Sequence, residues 1–214
     1  MKVLVVGKNG QVGSCLVALF NTMPDITLLA LDRAQLDITD AIQVVHVVTE
    51  FQPDVIINAA AYTYVDKAEQ EQQLAYAINR DGPYNLAVAA QKIDAVIIHI
   101  STDYVFAGDK LGSYNETDHT LPQGEYGRSK LAGEQAVASA CARHIILRTA
   151  WVFGKYGNNF VKTMLRLAKT RDTLGVVADQ FGGPTYAGDI ASAIVTISKQ
   201  ITDNDRAYGI YHFS

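Results

Sequence analysis

The chain has 214 residues, 49% hydrophobic and 19% charged, with a formal net charge of -4. That length suits one domain with enough apolar material for a sizeable core, and the mild acidity argues against an electrostatic grip on nucleic acid or on anionic lipid. No apolar run approaches the roughly 18 residues a membrane span needs, and the first residues lack the apolar stretch and small-residue cleavage site of a secretory leader. Cys15 and Cys141 are the only cysteines and form no C-x-x-C. They read as buried thiols in a reducing compartment, so a cytoplasmic protein is expected.

"KVLVV" (2–6) is the first predicted strand, and Gly7, Gly10 and Gly13 lead from it into a predicted helix over 11–22. A strand "ITLLAL" (26–31) and a helix over 40–51 follow, with Thr39 or Asp40 as its cap. The β-branched run "IQVVHVV" in that helix favours a strand, but its length and its place between two strands decide for helix. Next come a strand "DVIINA" (54–59), helix over 67–91 in one or two pieces, and a strand "AVIIHIS" (95–101). Residues 102–124 form the longest irregular region, and a loop that long in a compact domain is usually functional. A helix over 125–142, a strand "HIILRTA" (144–150), a helix over 158–170, a strand "TLGVV" (173–177) and a helix over 187–199 complete the order. The strand runs are nearly continuous apolar, as in strands buried on both faces. Strand and helix in alternation give an α/β fold, a Rossmann-type doubly wound parallel sheet flanked by helices.

The three glycines sit between a strand and a helix, where each has a physical use. The first permits a tight turn, the second lets backbone N–H groups approach a pyrophosphate, and the third lets the helix pack close to the strand. The spacing is G-x-x-G-x-x-G, which without context reads almost equally well as a plain turn. Asp32 lies about 20 residues on, where an acid takes the adenosine ribose hydroxyls, although alone it is equally a solvated strand-end residue. Arg33 follows and suits a 2′-phosphate, so NADH and NADPH both remain open. Asp37 is placed near the adenine or, equally, serves as a turn or cap residue. "NAAAYT" (58–63) lies where the fourth strand of such a fold meets the cofactor, its small alanines leaving room.

"YGRSK" puts Tyr126 and Lys130 four residues apart at the start of a predicted helix, on one face. A phenol with a pKa of about 10 is a proton donor that needs help, and a nearby ammonium favours its ionised form. Thr102 is positioned to hydrogen-bond a substrate carbonyl beside the phenol. Y-x-x-x-K arises readily by chance in a chain with 11 Tyr, so its weight comes from position. No other Tyr here has Lys four residues later.

With "VVGKNGQVG", "PDVIINAAAYTYVDKAE", "STDYVFAGD", "YGRSKLAGE", "RTAWVFGKYGNNFVKTMLRLAK" and "DQFGGPT", the chain resembles the extended short-chain dehydrogenase/reductases. More narrowly it resembles the dTDP-4-dehydrorhamnose reductases, over nearly its whole length. The resemblance implies NAD(P)H-dependent reduction of the C4 keto group of dTDP-4-dehydro-L-rhamnose. Tyr126 would be the proton donor, Lys130 its cofactor-bound partner, and Thr102 would take the place usual for Ser. Gly7, Gly10, Gln11, Val12, Gly13, Asp32, Asp37, Ile38, Ala61, Tyr62 and Thr63 would contact the cofactor, together with Tyr126 and Lys130. Thr102, Asp103 and Trp151 would line the sugar-nucleotide site, with Trp151 otherwise read as a core aromatic. Residues 1–150 would form the cofactor-binding domain, and 151–214 a partial substrate-binding region interleaved with the last strands. "YGIYHFS" reads like a strand inside the fold, and the family continues several dozen residues further, so a substrate-side segment is expected to be missing. Some members bind magnesium at a dimer interface through an acid in the first helix. Cys15 stands there, the later acidic position falls at or beside Gly188, and no such metal is expected; a homodimer stays open.

Two further readings compete. A sugar-nucleotide epimerase would use the same Tyr and Lys, whereas a dehydratase would carry Asp-Glu after Thr102, where Asp103-Tyr104 stands. A non-catalytic, cofactor-binding regulatory subunit is the third. His99, inside an apolar strand, reads as a satisfied core histidine, and "RLAKTR" (166–171) as a solvated helix end.

Overall fold

The computed structural model describes residues 1–201 and 207–214. Its strands are β1 (Lys2–Val6), β2 (Thr27–Leu31), β3 (Val55–Asn58), β4 (Val96–Thr102), β5 (His144–Thr149), β6 (Val152–Phe153), β7 (Thr185–Tyr186) and β8 (Gly209–His212). One sheet has the order β2-β1-β3-β4-β5-β8 with every neighbouring pair parallel, and β6 and β7 form a separate parallel pair. The helices are α1 (Gln11–Phe20), α2 (Ala41–Phe51), α3 (Val65–Ala68), α4 (Gln72–Tyr76), α5 (Gly82–Lys92), α6 (Glu125–Ala140), α7 (Phe160–Leu167) and α8 (Ala187–Ile201).

The two-residue period of the strands divides the core into two layers. Val3 and Val5 pack with Leu16 and Phe20 of α1 and Ile190 and Ile194 of α8. Leu4 and Val6 pack with Val44 and Val48 of α2, Leu86 of α5 and Val137 of α6. Both faces are covered, which is why the strand sequences are continuously apolar. α2 forms despite its β-branched run because Asp40 accepts from the Ile42 and Gln43 N–H groups and because Val44 and Val48 face the sheet one turn apart. The chain leaves β1 for β2 on one side and enters β3 on the other, so a crevice opens at the carboxyl ends of β1 and β3, where ligands bind in such sheets.

Three expectations change. "NAAAYT" follows the third strand, because residues 32–54 hold one helix and no additional strand. "TLGVV" forms no strand: Val176 and Val177 are exposed, and the place beside β5 is taken by β8, with Ile146 opposite Ile210. The helix expected over 67–91 is broken. α3 stops at Ala68, and Gln72–Lys92 contains a π segment at Ala77–Asp81. Pro83, in the first turn of α5, lacks the N–H an α-ladder needs there.

Candidate active site

The glycine turn is built against β3. Gly7 has φ +81, and a Cβ there would lie 2.6 Å from the Ala60 nitrogen. A Cβ on Gly13 would lie 2.2 Å from the Gly7 oxygen, so α1 approaches the turn backbone to backbone. Gly10 is the N-cap of α1 in an extended conformation, with no side chain to cap the first-turn N–H groups. Those donors, at the positive end of the helix dipole, face the crevice between β1 and β3. Asp32 follows β2 and accepts from the Ala34 and Gln35 N–H groups at 3.1 and 3.2 Å and from Asn9 Nδ2 at 3.3 Å. Lys8 Nζ stands 3.5 Å from it. Partial desolvation pushes the Asp32 carboxyl up, but the Gln35 N–H, Lys8 and Asn9 together hold it below the usual range.

On the other side of the crevice, Thr102 ends β4 and caps the short 3-10 turn Asp103–Val105, accepting from the Tyr104 N–H at 3.2 Å. Its hydroxyl donates to Asp103 Oδ1 at 3.0 Å. Tyr126 and Lys130 lie in the first turns of α6. Gly127 explains why that helix can reach the site: a Cβ there would meet the Tyr104 carbonyl oxygen at 2.2 Å. The rings of Tyr104 and Tyr126 meet edge to face with centroids 5.5 Å apart. Burial pushes the Tyr126 phenol up to about 12; the nearby Thr102 hydroxyl pulls the other way, and Asp103 and Tyr104 add to the rise. Burial pushes the Lys130 amine down to about 8, against the pull of Glu134. Lys130 Nζ donates to the Ile100 carbonyl at 2.7 Å and stands 3.3 Å from His99 Nε2. The influence that lowers the phenol therefore comes from Thr102, while the amine is held by β4.

The whole chain, residues 1–214, matches the family described as the RmlD substrate binding domain. It is 52% identical to a dTDP-4-dehydrorhamnose reductase of Aggregatibacter actinomycetemcomitans, over 100% of this chain and 73% of that relative. The chain belongs to the dTDP-4-dehydrorhamnose reductase family. A relative of the same description from Sinorhizobium fredii is 50% identical over 100% of this chain and 72% of its own. The crystal structure of a dTDP-4-dehydrorhamnose reductase from Bacillus anthracis in complex with NADP superposes with a TM-score of 0.94 at 46% identity, covering 100% of this chain and 74% of that one.

Against the family pattern, the structure disperses some expected residues and gathers others. Gln11 ties the glycine turn to the later segment: its Nε2 donates to the Val152 carbonyl at 3.1 Å and its Oε1 accepts from Asn159 Nδ2 at 3.0 Å. The side chains of Val12 and Ile38 lie in the core, leaving only their backbone for a ligand. Asp37 accepts from the Thr39 N–H and hydroxyl at 3.0 and 2.8 Å, a turn-forming role, and pairs with Arg33 at 3.6 Å. Ala61 and Thr63 flank Tyr62 in the loop after β3, and the Tyr62 hydroxyl donates to Glu71 at 2.6 Å. Trp151 is not a core aromatic: it is 42% exposed, has φ +45, and its indole lies where a Cβ on Gly182 would come within 2.7 Å. Cys15 is buried in α1 within the layer shared with α8.

Four residues escaped the sequence reading. Asn79 accepts from the Tyr62 N–H at 2.8 Å, and its Nδ2 donates to the Tyr62 carbonyl at 3.1 Å and to Ser129 Oγ at 3.0 Å. It thereby joins the loop after β3 to the helix of Tyr126. Glu69 accepts from the Glu125 N–H at 2.8 Å and caps α6 in place of Gly124. Lys8 pairs with Asp32. Thr149, beside Thr102 in the sheet register, has a buried hydroxyl without a hydrogen-bond partner among the described residues. None of these has a local sequence signal: Asn79, Glu69 and Lys8 act across the chain, and Thr149 reads as an ordinary strand residue.

Proposed function

We propose that this protein reduces the C4 keto group of dTDP-4-dehydro-L-rhamnose to give dTDP-L-rhamnose, with NADPH or NADH as hydride source. The observation that carries the reading is the meeting of Thr102, Tyr126 and Lys130 at the carboxyl end of β4, at the same end of the parallel sheet as the glycine turn after β1, in a chain of this family. The residues present fit a dinucleotide: α1 offers first-turn N–H groups without a side-chain cap, and Asp32 offers a carboxylate for ribose hydroxyls. Lys8, paired with Asp32, and Arg33, next to it in the chain, are cations that would suit a 2′-phosphate.

When bound, the nicotinamide supplies the hydride to C4. The protein's part is proton delivery and orientation. The Thr102 hydroxyl is near enough to Tyr126 to lower the phenol, so one substrate oxygen can meet both hydroxyls. The phenol, held near 12, keeps its proton at neutral pH and gives it to the oxygen as negative charge develops there. The O–H bond of Tyr126 breaks and that of the product alcohol forms. The phenolate left behind is met by the Lys130 cation one turn along α6, and by the Thr102 hydroxyl once its proton turns from Asp103. Trp151, with Asp103, would border the sugar nucleotide. A cytoplasmic setting suits the two buried free thiols, Cys15 and Cys141, and among the described residues no helix is long and apolar enough to cross a membrane.

The test follows NADH and NADPH oxidation with dTDP-4-dehydro-L-rhamnose. Stoichiometric oxidation is expected, which also separates reduction from a redox-neutral epimerisation. Tyr126→Phe, still folded and cofactor-binding, should lose about 10²–10⁴-fold in turnover. Oxidation of neither cofactor, or full turnover by the variant, overturns the reading.

A further inference from the structure

Behind Lys130 lies a buried chain of polar groups to which the reaction assigns nothing. Asn58, the last residue of β3, stands opposite His99 in the sheet register. Both are fully buried. The two-residue period puts them on the face of Ile56 and Ile97, the layer covered by α5 and α6. Asn58 Nδ2 is 3.0 Å from His99 Nδ1, and His99 Nε2 is 3.3 Å from Lys130 Nζ. The continuous strand sequences conceal this arrangement, because nothing local distinguishes it from a core histidine.

The orientation of the chain follows from hydrogen-bond accounting. Asn58 Oδ1 accepts from the Ala60 N–H at 3.1 Å, so it is the amide nitrogen that faces the ring. His99 Nδ1 is then the acceptor. Burial and the Lys130 charge hold the imidazole well below its ordinary pKa, so the ring is neutral. A neutral imidazole has one N–H, which must sit on Nε2. That proton points at Lys130 Nζ. A neutral amine has a lone pair to accept it; an ammonium has none. Moving the proton to Nδ1 would turn the Asn58 amide and strand the Ala60 N–H in the loop that closes on Gly7.

We propose that Asn58 and His99 are positioning residues for Lys130: Asn58 holds the His99 proton on Nε2, where it steadies the neutral amine and opposes its charged form. The other titratable groups near this end of α6 act differently. Glu134, on α6 and paired with Arg148 of β5 at 2.7 Å, pulls Lys130 towards its charged form. Tyr126, Tyr104 and Asp103 act on one another. The proposal deepens the reductase reading but is tested without turnover.

Nitrogen-15 NMR of histidine-labelled, cofactor-free protein reads the ring directly, with His99 identified among the five histidines by its loss in His99→Phe. Above about pH 8, Nδ1 should be unprotonated and Nε2 protonated. A proton on Nδ1 overturns the proposal. Carbon-13 NMR of lysine-labelled protein then follows Lys130, identified by its loss in Lys130→Met. His99→Phe should raise its pKa by about one pH unit, tenfold in the deprotonation equilibrium. A fall, or no change, means that His99 accepts from the ammonium or is inert, and refutes the assignment. If His99→Phe does not fold, the near-isosteric Asn58→Asp decides: its carboxylate should draw the ring proton to Nδ1, and an unchanged ring would refute the role given to Asn58. A protein that meets these expectations yet oxidises neither cofactor would overturn the reductase reading alone.

Discussion

Lys130→Met isolates a single buried amine. In the folded protein its pKa falls from 10.5 to about 8 because burial disfavours the charge, which corresponds to about 3 kcal/mol. The side chain is 2% exposed, so solvent screening takes little from that figure. Below about pH 8 the amine is protonated in both folded and unfolded chains, so the cost of burying its charge is present in full and does not vary with pH. Between about pH 8 and 10.5 the unfolded chain holds a proton that the folded chain has released, so stability rises with pH. Tyr62 and Tyr126, both raised to about 12, act oppositely above pH 10, because only the unfolded phenols ionise there. Their contribution is common to the wild type and the variant. Urea unfolding of both proteins from about pH 7 to 10.5 should therefore show the wild type gaining about 3 kcal/mol relative to Lys130→Met. A stability difference that stays flat across this range would refute the burial argument.

Other perturbations probe separate parts of the site. Under the proposed mechanism kcat/KM should fall as pH rises through about 8, because the Lys130 charge assigned to the phenolate is lost; a pH–rate profile level to pH 9.5 contradicts this. Glu134→Ala leaves Arg148, 4% exposed, without its bidentate partner at 2.9 and 2.7 Å, and should cost about 3–5 kcal/mol in urea unfolding. Gly13→Ala drives a Cβ into the Gly7 oxygen and should destabilise the fold by about 1–3 kcal/mol. Gly10→Ala, whose Cβ meets only the Gly7 oxygen at 3.3 Å and Ala59 at 3.9 Å, should keep most stability and lose cofactor affinity in a fluorescence titration; equal losses in both variants would remove the distinction drawn between the two glycines.

What the sequence made legible was whatever a local pattern can encode. The strands of the main sheet are continuous apolar runs because both faces are covered, and α1 and α6 start where their glycines and the Tyr-Lys spacing indicate. "TLGVV" failed for the complementary reason: β-propensity forms a strand only where a sheet edge is free, and β8 holds that edge. The π segment was only half legible: Pro83 marks the break in the ladder, but what holds the segment is tertiary. Asn79, inside the π segment, bonds the Tyr62 backbone and Ser129 instead of facing solvent. In the same way Asp37, a lone acid in the sequence, is claimed by Thr39 and Arg33.

Burial acts on the two reactive groups in opposite directions and towards one result, neutrality. In water a lysine at 10.5 and a tyrosine at 10.0 hold their protons about equally. Here the phenol at about 12 holds its proton far more tightly than the amine at about 8. Such a phenol is a poor acid until a cation stands ready for the charge left on its oxygen. Lys130 supplies that cation at neutral pH, yet the Asn58–His99 pair behind it resists the charge. An ammonium with a satisfied partner on every side would be stable and inert. One that is opposed from behind and held, among the described residues, by the Ile100 carbonyl alone keeps hydrogen-bonding capacity for groups that arrive from the crevice. The polar chain buried beneath Lys130 thus bears on the pH at which that cation is lost, and with it on the range over which a tyrosine made weaker by burial can serve as the acid in the proposed mechanism.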